Sequence, residues 1–196
     1  GEQVTYEDKL TSIGSGAFFG CSALTTIGTS EDTLVANTAK FPETLTQIAG
    51  AAFAMSGLQT VVLPEGLTKI WGASLDEVND PNSEWCDLME YTFGAFYMCT
   101  SLTSINIPES LTYIGDNTFN MCMMLMNVNI HKDVTYIGDN AFASCGMMMF
   151  NVTIETDEET KKSALEYVGA NAFAGSMLMS LTIPETVGNL TVGTGF

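Results

Sequence analysis

The chain has 196 residues, 46% of them hydrophobic, which suffices for a continuous core in one ordinary domain. Its 23 acidic residues against 6 Lys and Arg give a net charge of −17, which repels polyanions and sets nucleic acid and anionic membrane faces aside as partners. No apolar run approaches the roughly 18 to 20 residues that span a bilayer, so no membrane insertion is expected of this segment. It starts at Gly1 without the charged, apolar and small-residue succession of a signal peptide, and so reads as a mature or excised segment.

Residues 1–9 carry no recurring pattern and read as an N-terminal extension or partial cap. At Leu10 a pattern begins, Leu-x-x-Ile-Gly-x-x-Ala-Phe-x-x-Cys, which runs to Cys21. It returns from Leu111 to Cys122, with Thr118 in place of Ala, and from Val134 to Cys145. Aligned on the first apolar residue, units start at Leu10, Leu45, Leu67, Leu88, Leu111, Val134 and Leu165. Eight positions on stands Phe18, Phe53, Phe96, Phe119, Phe142 or Phe173, and Leu75 replaces it in the third unit. Two longer intervals are explained by insertions near 28–40 and 155–164, and a third insertion, 76–87, interrupts the atypical unit. The repeats cover 10–187, and 188–196 reads as a tail or cap.

Each unit holds two extended stretches. The second ends in a proline turn, as in Leu58-x-x-Val61-x-Leu63-Pro64 and Leu102-x-x-Ile105-x-Ile107-Pro108, and its period of two predicts a strand with one buried face. Leu-x-x-Ile-Gly predicts the other strand, and Ala-Phe-x-x-Cys between them is compact enough for one helical or 3₁₀ turn. A unit this short cannot bury its apolar residues alone, so successive units must pile into a solenoid of about seven turns, with strands about 4.8 Å apart.

The combination Leu-Thr-x-Ile-Gly-x-x-Ala-Phe-x-x-Cys-x-x-Leu-x-x-Ile-x-Ile-Pro resembles the BspA-like, treponemal-type subclass of leucine-rich repeat proteins over about 10–187. The resemblance implies a right-handed leucine-rich repeat superhelix of short parallel strands. It also implies an extracellular or cell-surface protein, of bacterial type, that adheres to a host or matrix protein or to a glycan without catalysis and without a cofactor. A rigid spacer that displays other domains is the alternative.

The residues outside the apolar columns are where chemistry would sit. Cys21, Cys99, Cys122 and Cys145 share one repeat position, with Ser56 and Ser176 elsewhere in that column, so they read as small core fillers rather than convergent metal ligands. With five cysteines, an odd number, at least one thiol stays outside any intramolecular disulfide set, and Cys86, out of register, is the candidate reactive thiol. His131, the sole histidine, replaces a strand-ending Pro and is expected on a surface turn, with no elbow or second base beside it. The acidic stretch 76–87 lacks the glycine and closing glutamate of an EF-hand loop and reads as solvated rather than calcium-binding. Of the twelve methionines, Met121, Met123, Met124, Met126 and Met147 to Met149 are assigned to the core, with an exposed adaptable strip as the alternative. If the apolar columns point inward, Thr60/Val62, Ser104/Asn106, Asn127/Asn129, Asn151/Thr153 and Ser180/Thr182 form an outward strip without charge. Tyr113, Tyr136 and Tyr167 form an outward ladder. The candidate ligand-binding set is therefore Tyr113, Tyr136, Tyr167, Asn106, Asn129, Trp71 and Trp85, since rigid aromatic side chains give large contact area at low entropic cost.

Overall fold

The computed structural model describes residues 10–28, 35–72, 93–146, 150–160, 162–182 and 191–192. The apolar columns meet in one buried stack, and among the described residues thirteen short strands fall into two parallel sheets along it. The first sheet takes β1 (Ser12–Ile13), β3 (Gln47–Ile48), β5 (Lys69–Ile70), β7 (Tyr113–Ile114), β9 (Tyr136–Ile137), β11 (Tyr167–Val168) and β13 (Thr191–Val192), side by side in that order. The second takes β2 (Thr38–Lys40), β4 (Thr60–Val62), β6 (Ser104–Ile105), β8 (Asn127–Ile130), β10 (Phe150–Ile154) and β12 (Leu178–Thr182). Alternation decides which side chain enters the core. Ile48, Ile70, Ile114 and Ile137 are fully buried in the first sheet, while Val61, Ile105, Val128 and Val152 turn inward in the second.

Between the two sheets the Phe of each unit stacks on the next. Phe18, Phe53, Phe96, Phe119, Phe142 and Phe173 form a continuous column with centroid spacings of 5.1, 5.5, 5.6, 5.1 and 5.5 Å and nearly parallel rings. Each such pair adds about 0.5 to 1.5 kcal/mol beyond the burial of its area.

The turn carrying this Phe uses the i→i+3 bonds of a 3₁₀ turn at every second residue only. Ala52, Ala54 and Ser56 donate to Ala49, Ala51 and Phe53 of their own coil, whereas Ala51, Phe53 and Met55 donate to Phe93, Ala95 and Tyr97 of the next. Such alternation requires left-handed residues two before and two after the Phe. Ala51 and Met55 have φ of 57° and 58°, Asn117 and Met121 54° and 63°, and Asn140 and Ser144 54° and 56°. Gly and Asn recur two before the Phe because they tolerate this region best. The glycine after the first strand answers a different need: a Cβ on Gly169 would fall on the Asp139 backbone nitrogen.

The stacking also reassigns one unit. β5, which follows the start at Leu67, pairs directly with β7, and Phe96 lies between Phe53 and Phe119. The strand at 69–70 and the Phe96 turn thus belong to one coil interrupted by a long insertion, while the unit start at Leu88 lies outside the described residues. The seventh strand of the first sheet is β13, within 188–196. Part of the 28–40 insertion is also built into the body, since β2 pairs with β4 and Ile27 makes only an isolated bridge to Ala39.

Two expectations about burial are corrected. His131 is buried, 9% exposed, because the turn after β8 folds it under the neighbouring Glu109 and Asp133. Among the described residues no methionine enters the core, and Met124, Met126, Met177 and Met179 are exposed, because Phe and Leu columns already fill the interior. Met147 to Met149 lie outside the described residues.

Candidate functional site

Two outward surfaces carry the candidate residues, one on each sheet. On the first, strand alternation that buries Ile114, Ile137 and Val168 turns Tyr113, Tyr136 and Tyr167 outward, and the parallel register sets them side by side. Their rings stack at 4.5 Å and 4.7 Å with interplanar angles of 6° and 9°. All three are half-buried, and each face turned toward a neighbouring tyrosine is covered by it, so the ladder offers ring edges outward. Trp71 continues the row at 6.4 Å from Tyr113, tilted by 55°, with the Lys69 ammonium 4.3 Å over its ring and its indole N–H donating to Gln47 Oε1 at 3.5 Å. Trp85 lies outside the described residues.

Beneath the ladder runs a pair of carboxylates that the aromatic pattern did not announce. The Tyr136 hydroxyl donates to Asp116 Oδ1 at 3.5 Å and Tyr167 to Asp139 Oδ1 at 3.3 Å. The same oxygens accept the backbone N–H of Asp139 and Ala170 in the following coil, at 2.8 and 2.7 Å. Burial, helped by the charge of Asp139, holds the Asp116 carboxyl above its ordinary range. Burial and the adjacent Asp116 push the Tyr136 hydroxyl well up, so it stays a protonated donor. Ile-Gly-Asp-Asn occurs twice, at 114–117 and 137–140, and that repetition was the available signal.

On the second sheet Asn106 and Asn129 sit at equivalent positions on neighbouring strands but are held differently. Asn106 turns its carboxamide onto one residue of the preceding coil, accepting Leu63 N–H at 2.7 Å and donating to Leu63 carbonyl oxygen at 2.9 Å. Asn129 donates through Nδ2 to Glu155 Oε1. Farther along the same strip Asn151 donates to Asn127 Oδ1 at 3.2 Å and Ser180 to Asn151 Oδ1 at 3.1 Å. Because β6 registers with β8 only through Ser104 and Asn127, the strands part beyond that pair. A cleft of about 240 Å³ opens there, lined by Ile105, Asn106, Ile107, Glu109, Asn129, His131 and Glu155. His131 Nδ1 lies 3.4 Å from the Asp133 backbone nitrogen, and its Nε2 is 3.9 Å from Glu109 Oε1, beyond hydrogen-bond reach.

The column of thiols is structural. Cys99, Cys122 and Cys145 donate to the carbonyl oxygens of Phe53, Phe96 and Phe119 in the preceding coil at 3.1 to 3.2 Å. Burial pushes Cys99 up to about 11 and Cys145 to about 12, and Cys122 also rises. Cys21, expected as a core filler with the other three, is instead exposed at the end of the column, and Cys86 lies outside the described residues. Among the described residues no three His, Cys, Asp or Glu side chains converge as a metal site, and no helix is long and apolar enough to cross a membrane. The acidic stretch 76–87 lies outside the described residues.

A family model described as the BspA-type leucine-rich repeat region matches residues 2–70, 31–149 and 91–193, in six copies. A solved structure, the leucine-rich repeat protein of Bacteroides ovatus ATCC 8483, is similar in fold with a TM-score of 0.65 at 20% identity. The similarity covers 96% of this chain and 38% of that one, so the chain spans well under half the length of its structural relative. No curated protein matches the chain.

Proposed function

We propose, from the premise that this chain belongs to the BspA-type leucine-rich repeat family, that it is a non-catalytic binding module acting at a cell surface or outside the cell. Its ligand in this reading is a host or matrix protein or a glycan. The observation that supports it best is the row Trp71, Tyr113, Tyr136 and Tyr167 on the outer face of the first sheet. A rigid set of aromatic edges, fixed to a sheet and half-buried, matches the composition of interaction hot spots and has little conformational entropy left to lose on binding. The charge of −17 favours a partner with basic character and steers its approach at low salt.

The test is capture. Purified chain is screened against immobilised matrix proteins and a glycan array, and each hit is repeated with Tyr113, Tyr136 and Tyr167 changed to Ser. A loss of at least about tenfold in affinity, on the order of 1.4 kcal/mol, is expected for a hit that uses the ladder. Unchanged affinity would sink the ladder as the binding face.

A second reading is favoured by one feature of the same ladder. Its stacked faces are used within the chain, which serves rigidity, so the module is a spacer that displays other domains if the screen returns no hit.

A further inference from the structure

We propose that the cleft between β6 and β8 binds a single neutral sugar ring, which deepens the binding-module reading and rests on it. The cleft exists because Asn106 pairs with the Leu63 backbone and the β6 to β8 register ends at Ser104 with Asn127. At about 240 Å³ it lies below the 300 to 1,000 Å³ of sites for drug-sized ligands, so one ring-sized group is what it admits.

The lining selects the chemistry of that ring. Sugar hydroxyls both donate and accept, and the cleft presents both complements within one concavity. Glu109 and Glu155 supply carboxylate oxygens, Asn129 a carboxamide whose oxygen is left after Nδ2 is spent on Glu155, and His131 an imidazole whose Nε2 has no partner within hydrogen-bond distance among the described residues. His131 is about nine-tenths buried, so Nε2 has few orientations to lose. Half-buried Ile107 provides an apolar edge for the C–H face of a ring, with the core residue Ile105 behind it. Among the described residues no Lys or Arg lines the cleft, and two carboxylates within a chain of charge −17 repel sialic, uronic and sulfated sugars. From the cleft a chain of uncharged carboxamides and hydroxyls, Asn127, Asn151 and Ser180, runs across three adjacent strands and gives further sugars a polar track.

The test is nuclear magnetic resonance titration of the isotope-labelled chain with methyl glycosides of glucose, galactose, mannose and N-acetylglucosamine, with methylammonium chloride as the cation arm. One neutral glycoside is expected to move the amide signals of 105–107, 109, 129–131 and 155 with a dissociation constant of about 1 mM, an ordinary value for one ring in an open cleft. Asn129→Ala and Glu155→Gln, each checked for an unchanged thermal midpoint, should weaken that response at least about tenfold. No response to any glycoside, equal affinity in both variants, or movement of the same amides by methylammonium instead would overturn the assignment. Protein capture that persists without a sugar response overturns the cleft alone, whereas loss of both removes the binding-module reading with it.

Discussion

At the scale of single residues, the thiols show how one repeat position does two jobs. Cys99, Cys122 and Cys145 fill the core beside the Phe column and also donate to a carbonyl of the coil before, whereas Ser56, in the same column, meets the Cys99 thiol of the following coil at 3.4 Å. Their folded pKa values lie above the ordinary 9.0, so the native state holds protons that the unfolded chain gives up. Stability from these groups is therefore full below pH 9 and declines as pH rises toward about 11 to 12. Tyr136 and Tyr167, also raised, act in the same direction. A thermal midpoint that falls above pH 9, and that falls less in Cys122→Ser, is the expected outcome; an identical alkaline profile in the variant removes the thiol contribution. Backbone conformation gives a second residue-scale prediction. Asn140 sits at φ 54°, so Asn140→Gly should be nearly neutral in chemical denaturation while Asn140→Val should cost about 1 to 2 kcal/mol.

At the scale of elements, β7 and β9 with their following turns each form one device: Tyr outward, Ile inward, Gly against the neighbouring coil, Asp bonding the next. Asp116 is the member of that device with a penalty attached. Its carboxyl is raised by burial and by the Asp139 charge, so its ionised form is disfavoured in the folded state. The sign follows: this group's contribution is present below the ordinary 3.8 and is lost as pH rises through its higher folded value. Asp116→Asn keeps an oxygen for the Asp139 N–H and removes the charge, so its thermal midpoint at neutral pH should equal or exceed that of the wild type. The change between pH 4 and neutrality should also be shallower, and a lower midpoint at neutral pH would show the carboxylate to be a net benefit.

How far the elements were readable from the chain follows from the same device. Leu, Ile and Phe columns were legible because period and burial are one fact in a stack, and the outward tyrosines followed from strand alternation. Leu88 fits the unit template as well as Leu67 does, and the pattern holds no information on which strand edge meets which. Only the β5 to β7 pairing and the Phe96 stack assign β5 and the Phe96 turn to one coil. Burial of His131 and the turn of Asn106 onto Leu63 escaped for a similar reason, since both depend on a neighbour about 20 to 45 residues away in sequence.

At the scale of the whole molecule, a stack has neighbours in one dimension only, so the effect of a defect depends on where it falls. Phe119 is fully buried between Phe96 and Phe142, whereas Phe18 is 38% exposed at the end of the column with Phe53 on one side. Truncating Phe119 leaves a cavity between two coils that are themselves held by the column, and Phe119→Ala should cost about 3 to 5 kcal/mol. Phe18→Ala removes one stacking face and little burial, and about 1 kcal/mol is expected. A nearest-neighbour solenoid adds a sharper consequence than either number. An internal cavity weakens the coupling across it, so Phe119→Ala should broaden the denaturation transition and lower its m-value as the halves separate, while Phe18→Ala should shift the midpoint and keep the m-value. Equal m-values in the two variants would mean that the coils unfold as one unit, held by the two sheets more than by the aromatic column.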